Sequence, residues 1–218
     1  MGGRGSKSNS GIAQPTPQQP PTPRVQTLDE YLGPKGPMRD IQDSLDNTNP
    51  YYKQSRQNKD GLYYKNCQRC VWAAELRRRG YDVEAKPRIM DGTDQAQKAD
   101  PNVPGSYWNG AKGSLQFNAS AGSIFWRPKA SEITSMIRNA YPEGSRGAIQ
   151  MIGARGGHVC NWEIKNGRVT IYDGQTHEKH SATDLLKLGF THFKAARMDN
   201  VELTDLVKNF VRPKGGAY

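Results

Sequence analysis

Cysteine is scarce in this chain, with three in 218 residues. So low and odd a count gives no disulfide framework, which makes a reducing compartment the default. Long apolar runs are missing too. No stretch approaches the roughly 20 residues that a membrane span needs. The N-terminus has no apolar signal-peptide core, so no classical secretion is encoded. Hydrophobic residues reach only 34%, aromatics 9%, and mean hydropathy is −0.85. Part of the chain is therefore not expected to pack. Positive charge is plentiful, with a formal net charge of +10. That balance favours acidic partners such as nucleic acid, anionic lipid or an acidic protein. The basic residues are dispersed rather than blocked, so charge alone does not choose among them.

The length allows one core of about 100–150 residues plus extensions. Residues 1–26 are Gly, Ser, Gln and Pro with little to bury, and "AQPTPQQPPTPR" reads as a disordered, polyproline-like tether. The opening MGGRGS fits an N-myristoylation pattern and equally a flexible glycine-rich start. Residues 27–47 form a leader in which Leu28, Tyr31 and Leu32 precede a Gly/Pro break. It reads as a docking peptide or, preferably, as a strap on the domain. The domain itself is expected over 48–218.

Asn66 to Arg79 reads as a helix, capped by Asn66 and ended by Gly80. A strand is expected in 81–87 and a long irregular loop over 91–123. A second helix, 131–141, has Ser131 as its cap and Ile133, Met136, Ile137 and Ala140 on one face. Strands follow at 147–152, 157–164 and 168–173, then a helix after Ser181, a strand near 190–196 and a last amphipathic helix over 203–211. The pattern is α+β, with sequential strands antiparallel.

Asn166-Gly167 lies between two of the strand-like runs and signals a hairpin with a two-residue type I′ turn. Lys165 then faces Arg168, Cys160 faces Asp173 and His158 faces Gln175. Alternation puts His158, Cys160, Trp162, Ile171, Asp173 and Gln175 on one face, with His158 and Asp173 diagonal neighbours. A His beside a carboxylate is the orienting half of a triad. Cys67, the first residue of its helix, is a suitable nucleophile, because free N–H groups and the positive helix end favour thiolate. Cys70, one turn deeper on about the same face, is the competing candidate.

Other readings stay open. Cys67, Cys70, His158 and Cys160 are enough ligands for a Cys3His zinc site. C-x-x-C could also be a thioredoxin-like redox pair, although no βαβ context is evident. Arg77, Arg78 and Arg79 read as a solvated helix end, or as a contact for nucleic acid or an acidic protein. A nucleic-acid partner has no further support than that run and the net charge. His177, His180 and His192 read as surface residues. Tyr107, Trp108, Phe125 and Trp126 read as a cover for the site or as satellite core.

"NCQRCVWAAELRRRGYDVEAKP", followed by "GHVCNWEIKNGRVTIYDGQT", resembles the papain-fold toxin domains of bacterial polymorphic toxin systems, predicted to be protein glutamine deamidases. The resemblance covers roughly 27–200 and is nearest to the version encoded in phage and prophage genomes beside head genes, where leaders like "TLDEYLGPKGP" and "NTNPYY" also occur. It implies a papain-like α+β fold in which a Cys-bearing helix packs on a central antiparallel sheet. It implies Cys67 as nucleophile, His158 as general base and acid, and Asp173 as orienter, with Gln175 as a polar support; Asn66, the expected cap, and Cys70, the packed neighbour, complete the supporting set. No cofactor or metal is implied. A protein substrate is implied, with a phage structural partner reached through the N-terminal segment, in a virion or a bacterial or host cytoplasm. Two positions depart from the pattern: Cys160 replaces a large apolar residue, and Gly174 a frequent proline. The non-catalytic rival is a phage structural or accessory binding protein on the same fold.

Overall fold

A computed structural model describes residues 1–2, 26–94, 96, 110, 128–154 and 156–215, and the backbone of 117–119. The expected tether and most of the 91–123 loop, with Tyr107, Trp108, Phe125 and Trp126, lie outside these.

Three short helices come first: α1 (Leu28–Leu32), α2 (Ile41–Asn47) and α3 (Tyr52–Asn58). Then come α4 (Cys67–Arg78), β1 (Val83–Ala85), β2 (Phe117–Ala119), α5 (Ala130–Ala140), β3 (Arg146–Gly153), β4 (Gly156–Lys165), β5 (Arg168–Asp173), β6 (Glu178–His180), α6 (Ala182–Lys187), β7 (Phe190–Arg197) and β8 (Val211–Pro213). Six strands form an antiparallel sheet in the order β2-β7-β3-β4-β5-β6, and β1 pairs with β8 in a two-stranded ribbon.

Four local expectations change. The stretch 203–211 holds a short 3-10 helix, Asp205–Asn209, and then β8, because Phe210 and Val211 are buried against the α4 core. Residues 117–119, read as loop, pair with β7. The second helix starts one residue early, at Ala130, where Glu132 Oε2 accepts the Lys129 N–H at 2.7 Å, so Ser131 is not its cap. Ala140, assigned to the buried face of that helix, is exposed.

Period-two alternation sorts the sheet into two faces. Ala148, Val159 and Ala196 face α4 and pack with Val71, Trp72 and Leu76. Ile149, Met151, Cys160, Trp162, Ile171 and Phe193 face α5 and α6, packing with Ile133, Ile137 and Leu185. Helix α4 is buried at eleven of its twelve positions, Gln68 being the exception. A helix so enclosed must neutralise its charges inside the protein.

That requirement overturns the solvated reading of the arginine run. Arg77 is fully buried and clasps Asp43 at 2.9 and 3.0 Å, Asp82 at 2.9 Å and the Val83 carbonyl at 2.8 Å. Arg78 meets both Glu163 oxygens at 2.7 Å and also donates to the Arg39 carbonyl. Arg79 bonds Glu75 at 2.9 Å, the Val201 carbonyl at 3.0 Å and the Met198 carbonyl. The run is an internal clamp, and its guanidinium groups are not available to a nucleic acid. Gly80 follows with φ +102°, where its lack of a side chain lets the Gly36 carbonyl approach. The Gly36 N–H donates to the Gly80 carbonyl at 3.0 Å, which ties the leader to the helix end. Leu32 is buried in the α4 core, and the Tyr31 hydroxyl donates to the Val211 carbonyl at 2.8 Å.

Arg78 and Glu163 are both buried, so removing one leaves an uncompensated charge. Glu163→Ala should lower stability by about 3–5 kcal/mol, while the double change R78M/E163L should recover most of it. Urea unfolding measures both. A loss in E163A of under about 1 kcal/mol, as at exposed pairs, would show that the pair is not a structural anchor.

Candidate active site

The hairpin sets the site's geometry. Asn166 and Gly167 have φ of 53° and 68°, as a two-residue type I′ turn requires. The β4–β5 pairing runs from Lys165–Arg168 to Asn161–Tyr172. Beyond it β5 parts from β4, so the expected Cys160–Asp173 pair does not form, and Asp173 keeps only its β6 partner Glu178. Gln175, expected opposite His158, lies instead in the turn after Asp173. Gly174 makes this turn possible, because a Cβ there would come within 2.8 Å of Thr48 Cγ2. Proline or any larger residue at 174 would collide with Thr48.

His158 Nε2 and Asp173 Oδ2 are 2.8 Å apart. Asp173 is buried, and its carboxylate also accepts the Gln175 backbone N–H at 2.8 Å and the Thr176 hydroxyl at 3.1 Å. Nε2–H therefore points at the carboxylate, which leaves Nδ1 as the basic nitrogen. The imidazole also stacks on the Phe190 ring, at 6.3 Å and 15°.

Cys67 reaches the same imidazole from the other side of the sheet. Helix α4 lies on the Val159 face, while His158 belongs to the Cys160–Trp162 row. The two meet where β4 runs on past the end of its pairing with β5. Cys67 lies close enough to His158 there to favour charge on the imidazole. Burial disfavours charge on His158, but the Asp173 carboxylate and then Cys67 outweigh it. Together they hold the imidazole well above its ordinary range. Burial likewise opposes ionisation of Asp173, yet His158 and the Gln175 N–H keep it below the usual carboxylate range.

The other two cysteines are in a different situation. All three are free thiols. Burial, reinforced by the charges of Asp173 and Cys67, pushes both Cys70 and Cys160 well above the ordinary thiol range. Cys70 Sγ points to Asn66 Oδ1 at 3.3 Å, whereas Cys67 Sγ points to Gln68 Oε1 at 3.1 Å. Among the described residues no three His, Cys, Asp or Glu side chains are grouped as a metal ion would need. The Cys67, Cys70, His158 and Cys160 set therefore has no zinc geometry. Nor does a βαβ unit lead into the C-x-x-C, since every strand pairing described is antiparallel.

Asn66 holds the N-cap position, but its side chain makes no capping bond. Its Nδ2 donates instead to the Lys86 carbonyl at 3.1 Å. Its neighbour Asn49, fully buried, was not singled out from the sequence. Asn49 Nδ2 donates to the Tyr63 carbonyl at 2.8 Å and the Gln175 carbonyl at 3.1 Å, and its own carbonyl meets His177 Nε2 at 2.8 Å. One amide thus joins the segment before Cys67 to the turn after Asp173. His177 and His180 are accordingly not free surface residues. His180 Nε2 lies 4.0 Å from Asp173 Oδ2, and His192 Nδ1 meets the Thr191 hydroxyl at 2.8 Å. No signal local to Asn49 could have announced its place, because its partners lie up to 128 residues away.

A Cys-bearing helix against an antiparallel sheet, facing a His–Asp couple on the sheet, defines a papain-like α+β domain. The family described as papain fold toxin 1, glutamine deamidase, matches residues 65–178. The chain belongs to that family, whose chemistry is that of a cysteine-dependent amidohydrolase. No curated protein and no solved structure matches it. Among the described residues no helix is long and apolar enough to cross a membrane.

The His158–Asp173 couple has a defined pH signature. Folding raises the His158 pKa, so that contribution to stability is full below about 6.5 and is lost as pH rises through the folded value. Folding lowers the Asp173 pKa, so that contribution is full above about 3.9 and is lost as pH falls. In Asp173→Asn, burial acts on His158 without the carboxylate, and its titration should drop to or below the ordinary value. Proton NMR of the imidazole C–H resonances reads this directly. An unchanged midpoint would mean that Asp173 does not control the imidazole.

Proposed function

We propose that the chain hydrolyses a glutamine side-chain carboxamide of a protein substrate through a Cys67–His158–Asp173 triad. One observation carries the reading: the His158 imidazole meets the Asp173 carboxylate at 2.8 Å and lies near enough to Cys67 for that side chain to act on its charge. Membership of the deamidase family supplies the reaction class.

His158 Nδ1 takes the Cys67 proton, and the sulfur attacks the carboxamide carbon. Asp173 fixes the tautomer and stabilises the imidazolium. In this reading the backbone N–H groups at the very start of α4, that of Cys67 included, stabilise the oxyanion. The intermediate collapses, the C–N bond breaks, and the His158 proton leaves with ammonia. Water, activated by the same imidazole, then hydrolyses the thioester to a carboxylate and regenerates the thiol. Asn66 and Gln175 support the site by holding the helix start and the Asp173 turn. Cys70 is packed behind it.

The catalytic domain in this reading is 48–218, with 27–47 a strap and 1–26 a tether. The burial of Leu32 and the Tyr31–Val211 bond support the strap. A phage or prophage setting, with the tether meeting a structural partner, is supported by the resemblance of the leader. A non-catalytic binding protein on the same fold is the alternative reading, and retention of the chain's effect in Cys67→Ala would favour it.

Deamidation of glutamine adds about 1 Da, so mass spectrometry of candidate proteins exposed to the chain identifies the product. Cys67→Ala should lose at least about a thousandfold of the activity, whereas Cys70→Ala and Cys160→Ala should keep it wherever they fold. Activity that survives Cys67→Ala but not Cys70→Ala would transfer the nucleophile's role to Cys70.

A further inference from the structure

Positive charge gathers beside the start of α4. Arg69 lies on the helix two residues after Cys67, Lys86 and Arg88 follow β1, and Arg212 belongs to β8. Lys86 is tied to the residue before Cys67, because its carbonyl accepts a hydrogen bond from Asn66 Nδ2 at 3.1 Å. Tyr31 of the leader and Lys208 complete the group. The Lys86 and Lys208 ammonium groups stand 5.6 and 5.9 Å from the centre of the Tyr31 ring.

The carboxylates of this group are already taken. Asp94 pairs with Arg69 at 2.5 Å and also accepts the N–H groups of Ile89 and Ala96. Glu84 pairs with Arg212 at 2.6 Å, and Asp205 with Lys208 at 2.8 Å. Among the described residues neither Lys86 nor Arg88 has a carboxylate partner. Both are half-buried, and Arg88 Nε is enclosed with no hydrogen-bond partner. Burial, then the like charges of Arg69 and Arg212, hold the Lys86 ammonium below its ordinary range. The fold thus keeps two cations, without counter-charges, where their charge opposes folding.

Building on the deamidase reading, we propose that this flank docks acidic side chains of the protein substrate, so that glutamines near Asp or Glu are the preferred targets. A carboxylate that reaches Lys86 and Arg88 meets two cations with no existing ion pair to break. It also offsets the repulsion that Lys86 feels from Arg69 and Arg212. The aromatic rings favour a carboxylate over a nucleic acid. Single-stranded nucleic acids stack their bases on open ring faces. Here the Tyr31 ring is engaged by Lys86 and Lys208, and the Tyr51 ring by Arg212 at 5.5 Å and Tyr63 at 5.0 Å. The leader thereby has a part in substrate choice, because its Tyr31 holds the Lys86 head group.

Two reactive peptides test this without knowledge of the natural substrate. Each carries chloroacetylated diaminopropionate in place of glutamine, flanked on both sides by glutamates in one peptide and by serines in the other. Labelling of Cys67 in the full chain is followed by peptide mass mapping and normalised to N-acetylcysteine amide, a neutral thiol. At low salt the acidic peptide should label the wild type about tenfold faster than the serine peptide, the low end for a surface of one sign. Salt should shrink that advantage. Lys86→Glu and Arg88→Glu should each remove most of it, whereas Lys165→Glu, the same charge change at the hairpin end of β4, should keep it. Lys86→Met should lose the advantage yet resist urea at least as well as the wild type. Earlier unfolding of Lys86→Met, or an equal loss in Lys165→Glu, overturns the docking assignment. So does a short polyuridine that blocks the acidic peptide more strongly than oligoglutamate of equal charge, which would give the flank to nucleic acid. Labelling of Cys67 by both peptides no faster than of Cys70 or Cys160 overturns the nucleophile reading instead.

Discussion

A turn that admits only two residues leaves β4 and β5 a single register, and the His158–Asp173 contact depends on that register. A slip of one residue would send every side chain of one strand to the opposite face. The turn at Asn166–Gly167 adopts the two positive φ values that such a loop needs, and the Glu143 carboxylate accepts the N–H of both residues, at 2.5 and 3.1 Å. From there the pairing carries five steps along the strands to Asn161–Tyr172. The site lies just past the last step, where β5 turns away and the edge of β4 opens. An imidazole rooted on one face of the sheet can there meet a thiol rooted on the other.

The second requirement is that α4 hold the thiol steady at that opening. The helix is buried nearly all round, so its arginines and glutamate must find partners inside the protein. Arg77, Arg78 and Arg79 reach α2, β4 and the segment after β7, and Glu75 receives both Arg79 and Arg146. Charges in this setting add little net stability when paired, but they penalise any other placement of the helix. At the opposite end, Asn49 and Asn66 fix the helix start against the Asp173 turn. Both anchors belong to the fold, yet their effect is felt at the sulfur.

Within the C-x-x-C, two chemically identical residues are set apart by three residues' worth of rotation. Cys67 faces the imidazole and Gln68. Cys70 faces inward to Asn66, where burial and nearby negative charge hold its proton on. Cys160 stands on the His158 strand, but burial keeps it a packing residue. Burial thus separates Cys70 and Cys160 from the thiol proposed as the nucleophile.

Local rules made much of this legible. Helical periodicity located α4 and α5 to within a residue or so, and Asn-Gly gave the hairpin register, because those features depend on neighbours in the chain. The sequence by itself determined the strand alternation, the two-residue turn and hence the meeting of His158 with Asp173. Only the tertiary structure decided what Arg77–Arg79 would do, what Asn49 would join, why residue 174 must be glycine, and which cysteine faces the imidazole. Those outcomes depend on groups up to 128 residues apart coming into contact, and a buried charge or amide takes its meaning from partners that no local pattern encodes.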